Sequence, residues 1–120
     1  FSRMMLSKGK SGSERILSRL SVELMTADQL TPEQKAVSGF FPGFWDTKGW
    51  GFGGAVVTRR DPTGANPGSY GWTGGRGTHF IVDPAADLVA ILLTQRLMRG
   101  PNDMALNEEF LTLAFQAIED

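Results

Sequence analysis

The chain has 120 residues, 41% of them hydrophobic, enough for one core and too few for two ordinary domains. Twelve Lys plus Arg against 13 Asp plus Glu give a formal charge of -1, so no net field favours nucleic acid or an anionic membrane. With no cysteine and a single histidine, His79, the sequence excludes a disulfide framework, a thiol nucleophile, a zinc finger and any charge system needing two histidines. No metal or cofactor is expected.

The first stretch, "FSRMML", reads as the last turns of an amphipathic helix whose earlier turns lie upstream. With Phe rather than Met at position 1, this predicts a piece of a longer protein. No apolar run reaches the length that spans a bilayer, and no leader with a small-residue cleavage site is visible. "SKGKSGS" predicts a flexible loop. Ser18 stands before a stretch in which Leu20, Leu24 and Met25 recur at helix spacing, which predicts a helix over 18–27. "TPEQKAVSGFFPGFWDTKG" has no period and is rich in large apolar side chains, so it predicts a loop that packs its own side chains or lines a cleft.

From Gly51 the pattern becomes that of strands: "GFGGAVVT", "SYGWTGG", "THFIV" and "LVAILLTQ". Asp83 and Pro84 suit the first two positions of a type I turn between the last two. Short connections imply antiparallel pairing. The last strand is apolar on both sides, with Leu88, Ala90 and Leu92 on one and Val89, Ile91 and Leu93 on the other, so it needs cover above and below. One layer is the C-terminal amphipathic helix. Asn107 is its expected N-cap, Glu108 and Glu109 occupy its first turn, Leu106 staples onto Leu111, and Leu111, Ala114, Phe115 and Ile118 form its apolar stripe. The second layer is expected largely from outside this sequence. The fold class is α+β: an antiparallel sheet of about four strands with the C-terminal helix packed on one face.

Several motifs have an ordinary structural explanation. "GWGFGG" (Gly49 to Gly54) fits the dinucleotide fingerprint formally, but the helix that must follow it is replaced by the strand "AVVT". "SKGK" (Ser7 to Lys10) fits SxxK formally, yet it lies in a loop after a helix end rather than on a helix start. His79 has no second ligand beside it, and Asp83 and Asp87 bracket a turn.

The order "GWGFGG…YGWTGGRGTHFIVDPAADLVAILLTQR", followed by a terminal amphipathic helix, resembles the C-terminal part of the serine β-lactamase and penicillin-binding-protein superfamily, nearest its class C and carboxylesterase-like branch. "RILSRLSVELMTADQL" also resembles that branch. The resemblance implies a single segment, 1–120, that is the C-terminal portion of a β-lactamase/transpeptidase-like serine hydrolase. It also implies that "WTGG" matches the family's third motif, a Lys-Thr-Gly or His-Thr-Gly triplet, with Trp in some esterase-like members. Carried over by position, Trp72 stands where relatives keep a cation, Thr73 offers a hydroxyl to substrate, and Gly74 lets the strand approach the substrate. Gly75 donates its backbone N–H to the developing oxyanion. A side chain at either glycine would obstruct the acyl group. Arg76 is a candidate replacement for the missing positive charge.

The nucleophilic Ser with its Lys, and the family's middle motif, are not in this sequence; the one tyrosine, Tyr70, lies in "YGW". The expected substrates of the full-length protein are small acyl compounds, esters ahead of β-lactams, and these 120 residues alone are expected to be inactive. The resemblance implies a bacterial protein but assigns no compartment. A second reading is a non-catalytic sheet-and-helix module that self-associates, as a homodimer, or binds a partner through an uncovered sheet face.

Overall fold

The computed structural model of the chain describes residues 1–118. The opening apolar turn forms helix α1 (Ser2–Leu6), which buries Met5. "SKGKSGS" is more ordered than a flexible loop: β1 (Lys10–Ser11) and β2 (Glu14–Arg15) pair as a small hairpin. Helix α2 (Arg19–Met25) starts where the sequence places it, with the Ser18 hydroxyl accepting the Ser21 N–H at 3.0 Å.

The region read as aperiodic holds two short elements. Helix α3 (Pro32–Ala36) is set by a capping box, Thr31 with Gln34, and by Pro32 at its first turn. Strand β3 (Lys48–Trp50), three residues with Gly49 in the middle, is too short to show a period. The strands that follow are β4 (Ala55–Val57), β5 (Tyr70–Thr73), β6 (His79–Asp83) and β7 (Leu88–Leu92). They form a five-stranded antiparallel sheet in the order β3-β4-β5-β6-β7, one strand more than the sequence predicts.

Helix α4 (Ala105–Gln116) covers one face. Leu111 is buried there with Val57, Ala65, Ile81 and Ala90, and Phe110, Ala114 and Phe115 pack around them. Leu111, Ala114 and Phe115 of the expected stripe are therefore in place, while Ile118 lies past the helix end; Glu119 and Asp120, the end of the predicted helix segment, lie outside the described residues. Its start is a correction. Met104, not Asn107, is the N-cap, so Leu106 is already helical. Asn107 is 1% exposed and its side-chain amide reaches the Gly77 carbonyl at 3.4 Å. The residue ties α4 to the β5–β6 turn instead of closing the helix end.

The opposite face is not left to an outside layer alone. Helices α1 and α2 place Met5 and Val22 against Val56, Tyr70 and Val82, with Val89 and Phe80 packed at the margin. Each fully buried Val or Met contributes about 1.5–3 kcal/mol relative to exposure, so this small second layer is a real part of the core. Its cover stops short of the β7 edge, where Ile91 is 53% and Leu93 79% exposed. Among the described residues no helix is long and apolar enough to cross a membrane.

Candidate active-site wall

The β6–β7 turn anchors the sheet end away from the glycines. Asp83 is completely buried and accepts hydrogen bonds from the Ala85 and Ala86 N–H groups, both 3.0 Å, inside its own turn. It also accepts from the Asn66 N–H at 3.0 Å, the Asn66 amide at 3.1 Å and the Ser69 hydroxyl at 2.7 Å. Asp87 adopts φ 49 at the same turn. Turn-making accounts for both aspartates.

At the other end, β5 and β6 are joined by the turn Gly74–Thr78. The Gly74 N–H donates to the Thr78 carbonyl at 2.8 Å and the Gly77 N–H to the Gly74 carbonyl at 2.9 Å. A Cβ at Gly74 would lie 2.6 Å from the Thr78 hydroxyl, so this glycine already has a reason internal to the turn. Gly75 is different. A Cβ there would meet nothing within 4 Å, and its N–H has no hydrogen-bond partner among the described residues. Its carbonyl, by contrast, accepts the Met98 N–H at 2.9 Å, which holds the peptide in place.

Gly75, Thr73 and His79 line a cleft of about 810 Å³, bounded by the start of α4 and by the aromatic loop before β3. That loop does both things expected of it. Phe40, Phe41 and Trp45 each pack edge-to-face on Phe44, with ring centroids 4.7–5.3 Å apart, and Phe40 and Phe44 line the cleft. Trp72 joins this cluster, its ring 4.7 Å from Trp50 and 5.2 Å from Phe40. Trp72 thus forms part of an aromatic wall of the cleft.

Two polar groups in the cleft carry no obvious sequence signal. Lys48 lies 3.9 Å from the Asp61 carboxylate and 5.7 Å from the centre of the Phe44 ring. His79 contacts the Thr73 hydroxyl through Nδ1 at 2.7 Å. Burial, then the nearby Lys48 charge, pushes the His79 pKa down to about 4. The signal for this pair is hairpin register: Thr73 and His79 flank a five-residue connection and face each other across it. Arg76 is exposed on the turn and is not part of the cleft lining. Tyr70 is buried on the opposite face, its hydroxyl donating to the Phe52 carbonyl at 3.2 Å, and burial pushes its phenol pKa up.

The remaining motifs are structural in the ways their settings imply. Ser7 ends α1, Lys8 has φ 50 and Lys10 begins β1, so no helix brings Ser7 and Lys10 together. Three of the four glycines of "GWGFGG" are required by packing. A Cβ at Gly49 would run into the Asp28 carboxylate, one at Gly51 into the Met25 carbonyl, and one at Gly54 would lie 2.9 Å from the Tyr70 ring.

The five-stranded antiparallel sheet with a terminal helix on one face is a fragment of a β-lactamase-like fold. Residues 4–112 match the Beta-lactamase family model, and the chain belongs to that family, within the serine β-lactamase and penicillin-binding-protein-like superfamily. Two Mycobacterium tuberculosis proteins are similar to it: "Protein Rv1367c" of strain H37Rv and "Uncharacterized protein MT1414" of strain CDC 1551. Each is 40% identical over 102 residues, 79% of this chain and 25% of the relative. Among solved structures, unliganded simvastatin synthase (LovD) from Aspergillus terreus superposes with a TM-score of 0.72 at 19% identity, covering 99% of this chain and 33% of LovD. EstCE1, described as a hydrolase with promiscuous acyltransferase activity, gives 0.67 at 23% identity over 92% of this chain and 27% of its own. The chain therefore spans about a quarter of the relatives' length.

Proposed function

We propose that the chain is the C-terminal portion of a β-lactamase-like serine hydrolase or acyltransferase and forms one wall of its acyl-serine site. In this reading the nucleophilic serine and its base come from the rest of the protein. Gly75 donates its N–H to the oxyanion, and Thr73 offers its hydroxyl to the substrate. Gly74 keeps the strand end tight, and Trp72 with Phe40 forms an apolar side of the pocket. The observation that carries the reading is the Gly75 peptide: carbonyl tethered, N–H unpartnered, and no atom of the chain where a Cβ would stand. A donor held ready for charge that develops only in the transition state is the most effective kind, because it needs no reorganisation.

The substrate class follows from charge. Lys48 is already beside Asp61, Arg76 is outside the cleft, and Trp72 brings no charge, so this wall favours neutral esters over carboxylate-bearing β-lactams. Replacing Arg76 with Ala is accordingly expected to leave ester turnover unchanged. The test is to assay the full-length protein and the 120-residue chain against p-nitrophenyl esters and nitrocefin. The full-length protein should turn over esters and the isolated chain neither substrate; saturable turnover by the isolated chain would refute the division of labour.

A second, non-catalytic reading has one observation in its favour. β7 is the last strand of the sheet, and Ile91 within it and Leu93 just past its end are exposed, the kind of edge that pairs with another chain. Under this reading the isolated chain sediments as a homodimer, and Leu93→Lys returns it to a monomer.

A further inference from the structure

Thr73 and His79 are direct partners in the β5–β6 ladder, and the Thr73 hydroxyl lies 2.7 Å from His79 Nδ1. The other ring nitrogen, Nε2, is buried and has no hydrogen-bond partner among the described residues. We propose that His79 is a positioning residue: its Nδ1–H donates to Thr73 Oγ1, so that the threonine's own proton is left for an acceptor oxygen on the bound acyl substrate. The proposal rests on the reading of Thr73 given above and assigns the direction of its hydrogen bond.

The direction follows from counting protons. With its pKa lowered to about 4, the imidazole is neutral at pH 7 and carries one N–H. On Nε2 that N–H would be buried without an acceptor; on Nδ1 it has Thr73 Oγ1 within reach. Orphaned buried donors are rarer than under-used acceptors, so the Nδ1–H tautomer is the one the surroundings favour. A hydroxyl that accepts from a fixed ring N–H is no longer a free rotor. It presents a donor to the cleft and discriminates in favour of substrates that place a carbonyl or carboxylate oxygen there.

Steady-state turnover of a p-nitrophenyl ester by the full-length protein and its variants tests this. Thr73→Val and His79→Phe should each lower kcat/KM by about three- to tenfold, the worth of one hydrogen bond, and the double variant should be no worse than the poorer single. His79→Asn, whose amide N–H sits about where Nδ1 does, should recover much of the loss even though it fills less space than Phe. A residue that merely packs would give the reverse order, with Phe better than Asn. If Thr73→Val retains wild-type kcat/KM, the reading of the threonine itself fails and the proposal with it. If Thr73→Val is impaired while His79→Phe is not, or Phe outperforms Asn, the proposal alone falls. Nitrogen NMR of the imidazole, assigned by its loss in His79→Phe, reads the tautomer in the unaltered protein. An Nδ1-protonated ring is expected, and an Nε2-protonated one overturns the assignment whatever the variants do.

Discussion

Asp83 gathers five donors from two loops while wholly excluded from solvent, so its removal leaves several N–H groups without their acceptor. Asp83→Ala is expected to cost about 3–4 kcal/mol, measured by denaturant unfolding, and Asp83→Asn less, because the amide oxygen still accepts. His79 makes a different prediction, because its ring is a base whose folded pKa lies below the unfolded value of 6.5. The unfolded chain therefore binds the proton more readily. The stabilisation that His79 gives is complete above about pH 6.5 and is lost as pH falls through about 4. Unfolding followed from pH 7 to pH 4 should show a loss on the order of 2–3 kcal/mol that His79→Phe flattens. An unchanged slope in that variant would assign the loss to other groups. Asp83 was legible as a turn residue, since Asp-Pro is local chemistry; its reach to Asn66 and Ser69 was not, because those partners are brought in by the fold.

At the scale of elements, local rules located what local forces make. The Ser18 cap, the Leu111, Ala114 and Phe115 stripe of α4 and the β5, β6 and β7 strands all stand where capping and periodicity put them. The start of α4 failed that test because Asn107 is used for a tertiary contact with Gly77. Strand β3 was hidden because it is specified from outside. Asp28 accepts from the Trp50 N–H at 3.0 Å and the Leu30 N–H at 3.2 Å, and it pairs with the Lys35 ammonium, so that it locks the α2–α3 connection onto β3. Burial raises the Asp28 pKa, but the Lys35 and backbone hydrogen bonds together outweigh it and leave the carboxyl below its ordinary value. Gly49 is part of the same lock, since a side chain there would displace that carboxylate. Asp28→Ala and Gly49→Ala should each destabilise by about 1–3 kcal/mol, and the double variant by no more than the worse single. Additive losses would show that the two act independently. Because Trp50 packs on Trp72, both changes should also raise KM for apolar esters.

For the whole molecule, family and fold class could be read from motif order, while the layering could not. The sequence shows a strand that needs cover on both sides, but only packing reveals that α1 and α2 supply part of the second layer and leave the β7 edge bare. The site divides in the same way. The glycine turn was visible as composition, yet composition treats Gly74 and Gly75 alike. In the fold, Gly74 clears its own turn, whereas Gly75 lines the cleft with open space where a Cβ would stand and an N–H that has no partner among the described residues. That difference gives the most direct test. In the full-length protein Gly75→Ala keeps the N–H and Gly75→Pro removes it. The account predicts that Ala, whose methyl enters the space left for the acyl group, lowers kcat for ester hydrolysis by about tenfold at most, whereas Pro, which also removes the N–H, lowers it by about 10²–10³ with the fold intact by circular dichroism. A Gly75→Pro enzyme that folds and turns over esters at the rate of Gly75→Ala would contradict it.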